Sequence, residues 1–235
     1  MPSFIVTTIE DHSINHRDQA RERLRKLPAV QRTIWLDTAE DEFKVHGFEG
    51  ASLNRILARA GISKGQAYYY FADKGELYHA VIERAMAELA GLLDARLPTT
   101  DSALSYWHQT AALFGKVTVI FQQNDRLAEL GRGIYREATA QAATEDLLGG
   151  LHGQLKRLLE TGQDVGAVRS DLPLSLLTDM AFAVAREIDR WFALNVHDLG
   201  EQQALNLNRR AVGLMIAMLA PMEAATELAS SATSP

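Results

Sequence analysis

The residues with the clearest chemical potential lie in one run, Ser63-Lys64-Gly65-Gln66-Ala67-Tyr68-Tyr69-Tyr70-Phe71. Sorted at about 100° per residue on a helix, Ala67, Tyr70 and Phe71 share a face that must meet a core. Gly65 and Tyr69 point directly away, flanked by Gln66 and Tyr68. Exposed aromatic rings beside a glycine and an amide make a poor solvent face and mark a contact surface. The chemistry suits DNA. Gly65 lets backbone approach a groove, Lys64 and the helix N-terminus attract phosphate, tyrosine hydroxyls donate to phosphate oxygens, and Gln66 can pair with a base edge.

The flanking sequence supplies the elements that would hold this run. Pro28 suits a first helical turn, Leu36, Ala39 and Phe43 recur at helical spacing, and Gly47 stands where a C-cap glycine would. A second helix over about 52–60 closes on Gly61. Ser63 with Gln66, and Asp73 with Glu76, form two capping boxes that open a third and a fourth helix. Helix, glycine turn and short helix in this order describe a helix-turn-helix. Upstream, Arg17, Arg21, Arg23, Arg25 and Lys26 interleave with Asp18 and Glu22 at ion-pair spacing, which leaves two readings open. One is a solvated helix; the other is a basic arm against DNA phosphates. Residues 1–16 carry no helical pattern beyond the β-prone stretch Phe4 to Ile9 and read as a tail.

Residues 32–81 resemble the N-terminal DNA-binding domain of the TetR family of transcriptional regulators. The likeness runs through Arg32, Leu36, Ala39, Phe43, Gly47, Phe48, Ser52, Leu53 and Ile56 into Ala60-Gly61-Ile62-Ser63-x-Gly65-x-x-Tyr68-x-Tyr70-Phe71-x-x-Lys74-x-x-Leu77. The resemblance implies that the third helix enters the major groove and that Ser52 and Lys74 clamp phosphate. It further implies that Tyr68 and Tyr69 touch backbone, with Lys64, Gln66 and Arg55 as candidates for sequence readout. A helical C-terminal domain would bind a small effector and dimerise.

Four departures stand out. Ala51 replaces a hydroxyl residue before Ser52, a change expected to cost a helix cap or phosphate contact, and Trp35 and Glu42 replace aliphatics in the first helix, changes expected to touch packing rather than readout. Leu57 stands where the family has alanine and Ala67 where it has a large apolar residue. Close packing of the second and third helices predicts that Leu57 fills the space Ala67 leaves.

Beyond Pro98 the periodicity predicts helices over about 101–122, 125–142, 145–161, 172–195 and 201–220. The stretch Gly162 to Pro173 is similar to the junction before the dimer helices in many family members. Leu177, Ala181, Val184, Ile188 and Trp191 recur along one helix, and Leu207, Val212, Met215 and Leu219 along the next. They fit a four-helix dimer interface with close approach at Ala181 and Ala185, or closure of the subunit's own core. Trp107, Phe114 and Phe121 stand seven apart on a single helix line. That stripe is either plain core or the wall of an apolar effector pocket, with His108, Gln109, Arg186 or Glu187 as its polar groups.

Composition limits the alternatives. The chain has 235 residues, 47% hydrophobic and 23% charged, and its longest apolar run, Ala211 to Ala220, is too short for a bilayer. Zero cysteines exclude a disulfide framework, a thiolate zinc site and a cysteine nucleophile. The seven histidines, at 12, 16, 46, 79, 108, 152 and 197, form no metal-ligand pair on a helix face. Gly131-Arg132-Gly133 and Gly149-Gly150 complete no phosphate loop, so neither cofactor nor catalysis is expected. The net charge is −6, yet residues 1–84 hold 12 basic and 12 acidic side chains while 85–235 hold 12 and 18, so the acidity lies wholly in the second part. No secretory signal is legible, and a cytoplasmic protein is expected.

The sequence therefore predicts an all-α chain with four parts: a tail with a basic helical segment (1–27), a three-helix helix-turn-helix domain (28–84), a helical-bundle effector and dimerisation domain (85–222) and a flexible tail (223–235). Its expected partners are a palindromic double-stranded DNA operator, a largely apolar small-molecule effector and a second copy of itself. The competing reading is a helical small-molecule carrier or protein-binding adaptor that keeps the head as scaffold.

Overall fold

The computed structural model describes residues 16–94, 100–195 and 199–221; the sequence expectations for the two tails, His12 and His197 lie outside these residues. A helix over 16–26 (α1) precedes α2 (Ala29–Gly50), α3 (Leu53–Ala60), α4 (Lys64–Tyr70) and α5 (Lys74–Leu93). There follow α6 (Ala103–Gln123), α7 (Asp125–Arg136), α8 (Ala138–Ala143), α9 (Glu145–Asp164), α10 (Leu174–Asn195) and α11 (Glu201–Leu219). No strand occurs among the described residues, and none of their helices is long and apolar enough to cross a membrane.

Two compact units emerge. Among the described residues, the first joins 16–86 with 133–145, and the second holds those of 87–132 and of 146–221. The first boundary falls near the expected 84/85, but 133–145, expected in the bundle, packs with the head. The predicted single helix 125–142 breaks at Glu137, whose φ of −133° and ψ of 132° are extended. That break turns the Glu137 carboxylate onto the backbone N–H groups of Phe48 (3.1 Å) and Glu49 (2.6 Å). Those donors are free because α2 is interrupted at Gly47, φ 69°, where a side chain would also collide with Glu137 Oε1.

The head core is built on Trp35, Leu36, Ala39, Phe43, Ile56, Leu57, Ala67, Phe71, Leu77 and Val81, all buried. Phe43, Phe48 and Tyr78 interlock with ring centroids 4.9 to 6.1 Å apart, and burial pushes the Tyr78 phenol pKa upward. Leu57 and Ala67 are both buried, as volume exchange between them requires. Helix α1 is not a solvated helix. Ala20, Leu24 and Leu27 are buried, and Arg21 forks onto the buried Glu76 carboxylate at 2.7 and 3.0 Å.

The second unit centres on Tyr106, Leu159, Ala167, Val168, Leu177, Ala181 and Leu219. Tyr106 donates its hydroxyl to the Leu158 carbonyl at 2.9 Å, and burial pushes its pKa up to about 12. Gly162 makes this packing possible. A Cβ there would stand 2.4 Å from Val168 Cγ2 and 2.7 Å from Tyr106 Cζ, and its carbonyl accepts the N–H groups of Ala167 and Val168. Gly162→Ala is expected to cost about 1–3 kcal/mol through overpacking, measured as a lower urea midpoint at unchanged slope. An unchanged midpoint would show that the α6–α9 contact is slack.

Candidate nucleic-acid interface

The recognition segment forms as its sequence dictates. Ser63 Oγ accepts the Gln66 N–H at 3.2 Å and Gln66 Oε1 accepts the Ser63 N–H at 3.0 Å, completing the capping box of α4. Ahead of it, Ser52 caps α3 by accepting the Arg55 N–H at 3.4 Å, and Gly61 closes α3 in the left-handed conformation, φ 66°. Asp73 caps the start of α5 by accepting the Glu76 N–H at 2.9 Å. The Glu76 carboxylate does not complete a second box, because it faces Arg17 and Arg21.

On α4, Ala67 and Phe71 are buried and Tyr70 half-buried, whereas Lys64, Gly65, Gln66, Tyr68 (63% exposed) and Tyr69 (52%) face outward. Exposed rings of this size on a short helix of an otherwise packed head are the apolar contact surface that the angular sorting anticipates. Tyr70 stands edge-on to the buried Trp35 ring at 5.3 Å and to Tyr69 at 5.0 Å. Trp35, which departs from the family pattern, thus anchors the helix.

The structure gives several sequence candidates another task. Arg55, a readout candidate, turns back to Glu42: its Nε lies 2.8 Å from Glu42 Oε1, and its Nη2 also donates to the Gly50 carbonyl at 3.2 Å. Glu42 is buried and accepts the Ser52 N–H at 2.9 Å. This carboxylate therefore locks the start of α3, a role its helical position alone does not reveal. Lys74 donates to the carbonyls of Glu49 (3.1 Å) and Ala51 (3.2 Å) and sits over the Phe48 ring, leaving one ammonium proton for a phosphate. Gln66 keeps only its Nε2 donors for a base, since its oxygen caps the helix. The Ser52 hydroxyl retains its proton. Lys64 makes no ion pair among the described residues.

The basic arm shows a similar economy. Arg17 reaches Asp73 and Glu76, Arg25 reaches Glu83, and Lys26 reaches Glu22. Arg23 instead covers the Tyr69 ring. Apart from the Lys26–Glu22 pair, which lies within α1, these contacts dock α1 on the head, so the arm is a packed element of the first unit.

In the second unit an apolar seam runs between Tyr106, Trp107, Thr110 and Phe114 of α6, Leu155, Leu158 and Leu159 of α9, and Val212, Met215, Ile216 and Leu219 of α11, enclosing a void of about 20 Å³. Trp107 and Phe114 line this seam, and the Trp107 indole donates to the Ala167 carbonyl at 3.2 Å. Phe121 is not among the lining residues. None of the proposed polar groups reaches the seam: His108 and Gln109 are exposed, Arg186 lies over Phe182, and Glu187 pairs with Arg190. The polar group that lines it beside Tyr106 is Thr110, whose hydroxyl is buried without a well-formed hydrogen bond. Thr110 follows Trp107 by three and precedes Phe114 by four, a spacing that carried the signal.

The predicted dimer stripe divides. Leu177, Ala181, Val212, Met215 and Leu219 are buried in the subunit's own core, where they fill the seam and its floor. Ile188 is half-buried, whereas Val184 and Trp191 remain exposed together with Leu176, Met180 and, on α11, Leu214 at 72%. The open apolar face of α10 is thus rotated toward 176, 180, 184 and 191, a shift smaller than one residue step of the helix.

Residues 36–81 match the model of bacterial regulatory proteins of the tetR family. That segment is therefore similar to the DNA-binding part of tetR-family regulators. A transcriptional repressor of Streptomyces coelicolor, SCO4008, is 38% identical over 63 residues, which cover 27% of this chain and about a third (33%) of that protein. Among solved structures, the SmeT–triclosan complex superposes with a TM-score of 0.63 at 20% identity, covering 82% of this chain and 93% of that one. FadR from Bacillus subtilis, solved with stearoyl-CoA, gives 0.60 at 17% identity, covering 78% and 97%. At such identities these neighbours establish the fold: an N-terminal helix-turn-helix and a helical C-terminal domain. The matched family is one of transcriptional regulators.

The Glu42–Arg55 lock has a pH signature. The Arg55 hydrogen bond, with the Ser52 N–H, holds the Glu42 pKa below its ordinary 4.5 despite burial. A depressed carboxylate pKa stabilises the fold above the unfolded value and loses that contribution as pH falls through the folded value. Glu42→Gln is expected to cost about 1 kcal/mol at pH 7, since the half-exposed Arg55 is partly screened. Urea titrations should show this deficit shrinking below about pH 4.5; a deficit constant with pH would remove the ion pair from the account.

Proposed function

We propose that the protein is a homodimeric, ligand-responsive transcriptional repressor that releases a palindromic operator when a small molecule enters its second unit. The observation that carries this reading is the outward face of α4, where Lys64, Gly65, Tyr68 and Tyr69 stand exposed on a helix fixed by a complete cap and a buried aromatic anchor. The face supplies a cation, two hydroxyl-bearing rings and a bare backbone at Gly65, which are the parts a major-groove helix uses for phosphate contact and close approach. Ser52 at the N-terminus of α3 and the remaining proton of Lys74 add phosphate contacts on either side.

Two copies, paired through the exposed α10 residues Leu176, Met180, Val184 and Trp191 with Leu214 of α11, would present two such helices to successive grooves about 34 Å apart. The effector is largely apolar. This rests on the seam lining, all hydrocarbon and aromatic apart from Thr110 and the Tyr106 hydroxyl, and on the acyl and chlorinated aromatic ligands of FadR and SmeT. A void near 20 Å³ admits neither, so binding must part α6 from α11 and thereby select a second state of the bundle. Such a regulator acts in the cytoplasm.

Selection from a genomic fragment library at about 100–150 mM salt is expected to recover one palindromic site. Lys64→Ala should then weaken binding to all sequences and lower the salt slope by about one, while Tyr69→Ala should lower affinity with the fold intact. A folded dimer that enriches nothing would favour a carrier or adaptor.

Titration with triclosan and with stearoyl-CoA tests the second half of the reading. A saturable change in Trp107 emission, absent in Trp107→Phe, is expected together with reduced operator affinity. Saturable binding that leaves operator affinity unchanged would overturn the proposed coupling.

A further inference from the structure

The least expected contact in the head joins the basic arm to the recognition helix. Arg23 of α1 lies with its guanidinium carbon 4.4 Å from the centroid of the Tyr69 ring, and its Nη1 donates to the Tyr69 carbonyl at 3.1 Å. Its Nη2 donates to Gln19 Oε1 at 3.2 Å, one turn back on the same helix. The guanidinium is therefore fixed at two points while its plane covers the ring, a combination that its fork of donors permits and a lysine ammonium does not.

Tyr69 is braced from the other side as well. Its ring meets Tyr70 edge-on, and Tyr70 meets the buried Trp35 edge-on, so a relay of rings runs from the core to the surface and ends under Arg23. The arm cannot drift, because Ala20, Leu24 and Leu27 are buried and Arg17 and Arg21 hold the nearly buried Glu76. Neither α1, which carries Arg23, nor Trp35 belongs to the segment that matches the tetR family, which begins at residue 36.

We propose that Arg23 is a positioning residue for DNA recognition: it fixes the exposed Tyr69 side chain in one rotamer before DNA arrives, so that the phenol hydroxyl meets the operator without an ordering cost. The inference rests on the DNA-binding reading above. An exposed tyrosine free to sample rotamers loses that freedom on binding, and immobilising one such side chain is worth about two- to tenfold in affinity. Arg23 supplies the immobilisation within the fold. Its charge is directed at the ring face and at a carbonyl, so its contribution differs from that of a phosphate-binding cation such as Lys64.

The test combines operator binding with a measurement that needs no DNA. Arg23→Ala is expected to weaken operator binding about two- to tenfold without changing the salt slope. It should have no further effect in a Tyr69→Ala background, and Arg23→Lys should behave like Arg23→Ala. In the free protein, the three-bond couplings of the Tyr69 β-protons should change from those of a single rotamer to averaged values in Arg23→Ala, with the thermal midpoint monitored to confirm folding. A slope that falls by about one with full rescue by Arg23→Lys would make Arg23 a phosphate contact and overturn the proposal. Effects additive with Tyr69→Ala, or unchanged couplings in a folded Arg23→Ala, would overturn it too. If the wild-type chain selects no operator, the DNA-binding reading fails on that result, while the couplings still decide whether Arg23 fixes the ring.

Discussion

Buried carboxylates govern the head. Glu40, Glu42 and Glu76 are each less than a tenth exposed, and a carboxylate removed from water must keep a cation or several donors or else take up a proton. Arg84 serves Glu40, Arg55 and the Ser52 N–H serve Glu42, and Arg17 and Arg21 serve Glu76. Each pair joins two helices at a defined point: α2 to α5, α2 to the start of α3, and α1 to α5. Apolar packing would tolerate small slips at these places. A charged hydrogen bond, which is short and directional, does not.

The same pairing sets the electrostatics of the DNA-facing side. Arg17, Arg21, Arg25, Arg55, Arg59 and Arg84 all face acids within the head, Lys74 faces carbonyls, and Arg23 faces a ring. Of the other described cations of the helix-turn-helix, Arg32 donates to the Arg25 carbonyl, and Lys44 and Lys64 are left without an ion pair. The 11 basic against 8 acidic side chains of residues 17–74 therefore overstate the field a phosphate would meet. On the proposed DNA-binding reading, long-range attraction would be modest and discrimination would fall to short-range contacts from Tyr68, Tyr69, Gly65 and the helix N-termini, whose reach is a few ångströms and whose geometry must be fixed in advance. That requirement accounts for the weight of structure behind α4: a complete cap, an indole anchor and an arm.

Local chemistry was legible where it acts within a few residues. The capping box at Ser63 and Gln66, the left-handed turn at Gly61, and the division of α4 into a buried Ala67–Phe71 side and an exposed Tyr68–Tyr69 side all follow from spacing. The intramolecular partners of Arg55, Lys74 and the arm arginines were not legible for one physical reason: they lie 13 to 58 positions away, and a one-dimensional pattern of charges does not say which acid or carbonyl a cation will meet. Glu137 was invisible for the same reason, since its partners at 48 and 49 are backbone donors exposed by a break at Gly47. The dimer stripe erred differently. Period alone cannot separate two adjacent apolar strips on α10, and only packing against α6 and α9 shows that the strip through Leu177 and Ala181 turns inward while Met180 and Trp191 turn outward.

The closed seam of the second unit imposes a thermodynamic form on any apolar occupant. Its walls are already in contact, so an entering molecule replaces protein–protein contacts with ligand–protein contacts instead of filling vacant space. The net gain is then smaller than the buried ligand area suggests, and the difference appears as work done on the bundle. Tyr106 and Gly162 concentrate that work. The ring sits against the bare Gly162 backbone with no slack, and its hydroxyl is tied to the Leu158 carbonyl on the same helix, so separating α6 from α9 breaks a buried hydrogen bond as well as apolar contact. Thr110 and the Tyr106 hydroxyl are the polar groups along this line, and of the two only Thr110 lacks a well-formed hydrogen bond. A buried hydroxyl without a satisfactory partner raises the energy of the closed state, and an occupant with an acceptor at that position recovers it. Selectivity among apolar effectors would therefore turn on a single correctly placed oxygen, in a seam that otherwise distinguishes molecules only by shape.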